Sequence, residues 1–198
     1  MFISFEGIDG SGKTTQARHL AGVLSARGHE VVLTREPGGS DGAEAIRRLL
    51  VEGATDRWSP ETELLLFNAA RRDHLERVIE PARARGAFIV SDRFADSTRV
   101  YQGATRGDLR QLVDRLHTLV IGREPDRTFV IDMDPDVALT RGLARQSGED
   151  RFEEFGLPFQ NKLRQGFLAL ARDFPDRIRV IDGMADLATV AARVEAAL

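Results

Sequence analysis

The densest chemical signal lies near the amino terminus, in Gly7-Ile8-Asp9-Gly10-Ser11-Gly12-Lys13-Thr14. Glycines at these positions let main-chain N–H groups turn inward around an anion, and a helix starting just beyond them adds the positive end of its dipole. Lys13 is placed for the outer phosphates of a nucleotide, the Thr14 hydroxyl for a divalent cation, and Thr15 for the innermost phosphate. The pattern needs a strand before it and a helix after it, and the chain supplies both, which argues against a chance glycine-rich turn. It specifies a phosphate donor and no more, because GTPases, motor ATPases and small-molecule kinases all use such a loop.

A second constellation, Asp92-Arg93-Phe94, follows the apolar run Phe88–Ser91 directly. A carboxylate at the carboxyl end of a strand is placed to hold the water shell of Mg²⁺ and to polarise an attacking oxygen. The arginine beside it suits a phosphate fork. An Asn-Lys-x-Asp guanine reader is lacking: Asn161-Lys162 runs on as Leu163-Arg164 inside a helical pattern. At 198 residues the chain is also small for a motor or transporter ATPase. A kinase for a small acceptor remains, its acceptor site marked by arginines, with Arg47, Arg71 and Arg93 as candidates.

The elements that must position these groups alternate along the chain. Phe2–Phe5, Val31–Thr34, Phe88–Ser91, Thr128–Ile131 and Val180–Ile181 read as short buried strands. Helical patterns cover Thr14–Ala26, Asp41–Val51, Pro60–Ile79, Ala95–Gln102, Leu109–Gly122, Pro135–Arg145, Leu157–Asp173 and Leu187–Ala197. This alternation predicts an α/β fold of three layers, a five-stranded parallel sheet flanked by helices, in one domain spanning 1–198. Ligands of such sheets bind beyond the carboxyl ends of the strands. Ser59 caps a helix that opens on Pro60, with Glu61 and Glu63 facing its dipole. Gly86 and Gly103 are expected to stop helices, and Pro81 to end or kink the one before it. Leu64, Leu65 and Leu66 are expected to supply core.

A net charge of −3 and a pI near 5.9 speak against a nucleic-acid-coating protein. Without cysteine there is no disulfide frame or thiolate zinc site. Met1–Phe5 reads as a strand rather than a leader, and no apolar run is long enough to span a bilayer. The expected location is the cytoplasm, with no membrane partner.

Phe5-Glu6-Gly7, the phosphate loop, Thr34-Arg35-Glu36-Pro37-Gly38-Gly39, Phe67-Asn68-Ala69-Ala70-Arg71, Asp92-Arg93-Phe94 and Tyr101-Gln102-Gly103 occur in this order and spacing. Together they resemble the bacterial type of the thymidylate kinase family, nearly from end to end. The resemblance implies ATP and dTMP as substrates, Mg²⁺ as the metal and a homodimer. ATP would lie in Gly7–Thr15, against Gly7, Ile8, Asp9, Gly10, Ser11, Gly12, Lys13, Thr14 and Thr15, with Arg141 and Arg145 on its far side. Thr14 and Asp92 would hold the metal.

Phe67, Arg71 and His74 share one helix face. The resemblance implies that Phe67 stacks on thymine and Arg71 reaches a base carbonyl, although spacing alone equally allows Phe67 as a core aromatic. His74 reads as a satisfied helix histidine. By the same resemblance Ser97 and Thr98 read the base edge, Tyr101 disfavours a ribose 2′-OH, and Gln102 lies near the acceptor. Arg47 and Arg93 take the acceptor phosphate, Asp9 the sugar 3′-OH, and Glu36 lines the acceptor site. For Glu36, simple solvation is the competing account. One branch of the family carries an arginine at the position of Gly10. This sequence has none there, and its resemblance to the bacterial branch implies that a lid at about 145–153 supplies the cation for the migrating phosphoryl group, from Arg151 first and Arg145 second. The catalytic set is then Lys13, Asp92, Arg93 and Arg151. A kinase for another pyrimidine nucleotide or nucleoside, and a non-catalytic nucleotide switch, are the alternatives.

Overall fold

The computed structural model describes residues 1–53, 57–104, 109–143 and 156–198. Its centre is β1 (Phe2–Glu6), five residues without exception buried. Around it β2 (Val31–Arg35), β3 (Phe88–Asp92), β4 (Arg127–Asp132) and β5 (Ile178–Asp182) complete a sheet of order β2-β3-β1-β4-β5, parallel throughout. Burial follows position: β3 and β4 are nearly as covered as β1, whereas the edge strands β2 and β5 are partly open.

Strand side chains alternate between faces. Ile3, Phe5, Val90, Phe129 and Ile131 pack against α1 (Lys13–Ala26) and α9 (Leu187–Ala196) through Leu20, Leu24, Val190 and Val194. On the opposite face Phe2 and Ile89 meet Leu75, Ile79, Phe94 and Ile121, while Val130 meets Leu163, Phe167 and Leu170 of α8 (Gly156–Asp173). Ser4 and Glu6 share that second face with Phe2, so β1 carries two polar groups into the layer beneath the functional helices.

Every strand is longer than the apolar run that announces it. Glu6, Arg35, Asp92, Asp132 and Asp182 continue the ladder at its carboxyl edge. These residues are charged because they face the ligand edge of the sheet, and hydropathy alone stops short of them.

Three of the expected helices are not uniform. Pro60–Ile79 divides into α3 (Pro60–His74), a π-helical turn at Leu75–Ile79 and a short α4 (Glu80–Ala84). Pro81 is the cause: its ring would clash with the carbonyl four residues back, and the wider turn relieves it. Glu80 N–H accordingly donates to Leu75 O. In the same way α5 (Ala95–Thr98) passes into a π-helical turn at Arg99–Ala104, and α6 (Arg110–Leu116) into one at His117–Ile121 that ends on Gly122 with φ 60°. Gly103 therefore lies inside a helical turn rather than stopping one, whereas Gly86, at φ 79°, does follow the end of α4. Ser59 caps α3 through Thr62 N–H. Leu64 is fully buried, but Leu65 is 57% exposed and contributes nothing to the core, because it lies a third of a turn away. The remaining helices are α2 (Asp41–Val51) and α7 (Pro135–Leu143).

Phe129 is fully buried at the centre of β4, its ring 5.3 Å from that of Phe5. Phe129→Ala should lower stability by about 3–5 kcal/mol, as is usual for removal of a buried aromatic; urea denaturation checks it.

Candidate active site

The phosphate loop turns sharply between β1 and α1, with Gly7, Gly10 and Gly12 at φ 134°, 84° and 97°. At Gly10 space is excluded as well: a Cβ there would come within 1.8 Å of Ala138 O in α7. Ser11 is 2% exposed, and its Oγ has no hydrogen-bond partner among the described residues. Lys13 folds back to donate to Ile8 O at 2.8 Å and lies 3.6 Å from Asp9. Burial, with Arg93 nearby, pushes its ammonium down to about 8, against the pull of Asp9, Asp92 and Glu6. Thr14 Oγ1 donates to Asp92 Oδ2 at 2.5 Å. Loop and strand tip thus meet through an oxygen pair. Thr15 is exposed one place further along α1.

The turn after β3 is built on Glu6. Its carboxylate is fully buried and accepts from Phe94 N–H at 2.7 Å and Ser97 Oγ at 2.6 Å. Ser97 Oγ in turn accepts from Arg93 Nη1 at 2.8 Å. Arg93 has φ 71°, a conformation L residues rarely hold. Its main chain is pinned by N–H donation to Phe5 O and by Ser91 Oγ donating to its carbonyl. Arg93 Nη2 donates to Asp9 Oδ1, and Tyr101 OH donates to Asp9 Oδ2 at 2.9 Å. Burial would raise the Asp9 carboxyl, but Arg93 and Lys13 outweigh it and hold the group below the usual carboxylate range. Burial pushes the Tyr101 phenol up, so it stays a donor.

The opposite wall is organised by Glu36. This residue is 5% exposed, not solvated as an acidic loop residue would be. Its Oε2 accepts from Arg71 Nε at 2.7 Å and its Oε1 is 2.9 Å from His74 Nδ1. Burial raises its carboxyl, yet Arg71 and His74 bring it below the ordinary value. Arg71 Nη2 donates to Phe94 O and Thr98 Oγ1 at 3.2 and 3.0 Å. Arg47 Nη1 donates to Pro37 O. Arg48, its neighbour, is exposed. Gln102 gives its amide to Glu63.

One cleft gathers these groups. Asp9, Gly10, Gly12, Lys13, Thr14 and Asp92 line one side, and Glu36, Arg47, Phe67, Arg71, Arg93, Ser97, Thr98, Tyr101 and Gln102 the other. The π-helical turn after α5 brings Ser97 and Gln102, five residues apart, into the same wall. Gly7, Ile8, Ser11 and Thr15 frame the loop without lining the cleft, and Ile8 is buried in the core. Arg141 stands outside it on α7, its Nη1 3.5 Å from Met133 Sδ. Arg145, Arg151 and the proposed lid at 145–153 lie outside the described residues.

A sequence model of the family described as thymidylate kinase matches residues 5–194. The chain belongs to the thymidylate kinase family. Thymidylate kinases of Dinoroseobacter shibae and a Jannaschia species are 74% and 66% identical, over 99% and 98% of this chain and 95% and 94% of their own lengths. The crystal structure of thymidylate kinase from Ehrlichia chaffeensis matches with a TM-score of 0.80 at 38% identity, covering all of this chain and 97% of that one.

Several residues that build this site had no role assigned from the sequence. Glu6 sits in a quoted motif but had no role, although a carboxylate two places beyond Ser4 on a buried strand is a usable signal. His74 is fully buried and bonded at both ring nitrogens. Cleft-lining Arg35, Pro37, Val51, Phe94 and Gly142 also carried no assignment.

Burial, and next the charge of Asp96, push the Glu6 carboxyl from 4.5 up to about 7, against its donors Ser97 and Phe94 and the charge of Arg93. Between those values the folded chain holds a proton that the unfolded chain has lost. The stabilisation is complete below about pH 4.5 and is lost as pH rises through about 7. Melting temperatures of wild type and Glu6→Gln across this range should show a fall in the former that is flattened in the latter.

Proposed function

We propose that this chain transfers the γ-phosphoryl group of Mg·ATP to dTMP, giving dTDP and ADP. The observation that carries this reading is the single cleft, with an anion-binding loop on one side and Arg71, Arg47 and Arg93 beside Phe67 on the other. Family membership supports catalysis over a nucleotide switch.

The triphosphate lies along Gly7–Thr15, where among the described residues Ser11 Oγ has no partner and no side chain caps the start of α1, and Lys13 swings from Ile8 O to the outer phosphates. The Thr14 hydroxyl and Asp92 carboxylate form an oxygen donor pair suited to magnesium. No group of three or more acidic or histidine side chains that could hold a metal occurs among the described residues, which fits an ion that shares its shell with phosphates. Bound there, magnesium would neutralise charge between the outer phosphates. dTMP lies with thymine on Phe67 and its edge toward Arg71, Ser97 and Thr98. Its sugar meets Asp9 and Tyr101, and its phosphate meets Arg47 and Arg93. An acceptor phosphate oxygen forms the new bond to the γ-phosphorus as the bond to the β-bridging oxygen breaks and ADP leaves. That oxygen is already ionised, so positioning and charge carry the rate rather than a strong base.

Arg151, backed by Arg145, supplies the cation for the migrating group, and Arg141 lies toward adenine. The 198 residues act as one kinase domain. No helix among the described residues is long and apolar enough to cross a membrane, and the cytoplasm is the proposed location. A homodimer is supported by the outer faces of α3, of α6 and of the π-helical turn after α6, which expose Leu65, Leu112 and Leu119 respectively.

Release of ADP measured across dTMP, dUMP and dCMP tests the assignment. dTMP should be preferred, with dUMP retaining activity because one methyl group is worth only about 1–3 kcal/mol. Lys13→Ala and Arg151→Ala should each lower kcat by on the order of 10²–10³. Sedimentation should give a dimer that Leu119→Arg weakens.

A further inference from the structure

His74 lies at the end of α3, fully buried, and does not line the cleft. Both of its ring nitrogens are engaged. Glu36 holds its carboxyl below the ordinary range and so can only accept, which requires a proton on the facing Nδ1. On the other side of the ring Nε2 lies 2.7 Å from the Thr34 hydroxyl. Gly39 closes over the ring: at φ 91°, a Cβ there would sit 2.5 Å from His74 Nε2 and 2.5 Å from Thr34 Oγ1. The imidazole is thereby locked between the end of β2, the loop that follows it, and α3.

The lock has a direction. Thr34 holds the Nε2 edge of His74, His74 orients one oxygen of Glu36, and the other oxygen orients Arg71 through Nε. Phe94 O and Thr98 Oγ1 then take Nη2. Only Nη1 is left without a protein partner among the described residues, on a side chain that lines the cleft. We propose that His74 is a positioning residue for the acceptor: through Glu36 it aims the one remaining edge of Arg71 at the bound monophosphate. This rests on the functional reading given above, and it adds a residue that never meets the substrate.

The two nitrogens of His74 can be mimicked separately. Asn carries an N–H close to the place of Nδ1, and Gln carries its amide close to the place of Nε2. His74→Asn should keep the bond to Glu36 and leave KM for dTMP within about 3-fold of wild type. His74→Gln and His74→Phe should raise it by about 10–100-fold, the usual loss for a hydrogen bond to a charged group. Thr34→Val, which removes only the hydroxyl, should raise it about 3–10-fold and serves where the larger changes impair folding. In all four, kcat and ATP affinity should stay within about 3-fold, because the lock lies on the acceptor side. Equal effects of Asn and Gln, an unmoved KM in Thr34→Val, or losses spread equally over kcat and ATP affinity would each overturn the proposal. A wild-type chain that turns over no nucleoside monophosphate would instead remove the functional reading itself.

Discussion

A carboxylate at the tip of a fully buried strand must find donors close by, and much of the site follows from how Glu6 finds them. β1 is covered on both faces, so water is not available there, and an unpaired charge would be costly. The donors come from the segment after β3: the N–H of Phe94 and the hydroxyl of Ser97. Drawing them in bends the chain so that Arg93 takes a left-handed conformation, at a cost on the order of 1–3 kcal/mol. The same bend leaves Arg93 bonded to Ser97 and Asp9, with its guanidinium at the cleft. One buried carboxyl group therefore determines where a cation of the cleft stands.

The cleft uses the same device twice. Arg93 is held by Asp9, and Arg71 by Glu36, each through part of its guanidinium while the side chain still borders the opening. Arginines fixed in this way need little reorganisation when an anion or a carbonyl arrives. Elsewhere a cluster of Asp96, Arg99, Glu124 and Arg177, buried at Asp96 and Arg99, is equally charged but lies outside the cleft. It perturbs its own ionisations strongly, holding Glu124 below the usual carboxylate range and Arg99 above the usual guanidinium range. Displaced ionisation alone would not separate these clusters. The open edge of the arginine does.

Much of this was legible in the residues. The phosphate loop carries its own spacing, and the strands announce themselves as apolar runs, so the order of elements and the parallel sheet followed. Strand ends were truncated because the last residue of each is charged. The π-helical turns were not legible, since the change from four-residue to five-residue bonding reflects packing and, at Pro81, a ring clash resolved by widening instead of breaking. The ten acceptor-side candidates lie on one cleft, but the burial of Glu36 could not be read. Its partners Arg71 and His74 stand 35 and 38 residues away, and an acid in a Pro-Gly-Gly loop otherwise suggests solvent. His74 seemed inert for the same reason: only three dimensions reveal that both ring nitrogens serve other groups.

The contact between Gly10 and the Ala138 carbonyl bears on how such enzymes diverge. With α7 seated this closely on the loop, no side chain of any size fits at position 10, least of all an arginine. Placing a cationic side chain in the loop would require the helix to retreat in the same step. The two arrangements are thus separated by a packing barrier that single substitutions do not cross, and a chimera exchanging only the loop inherits a collision.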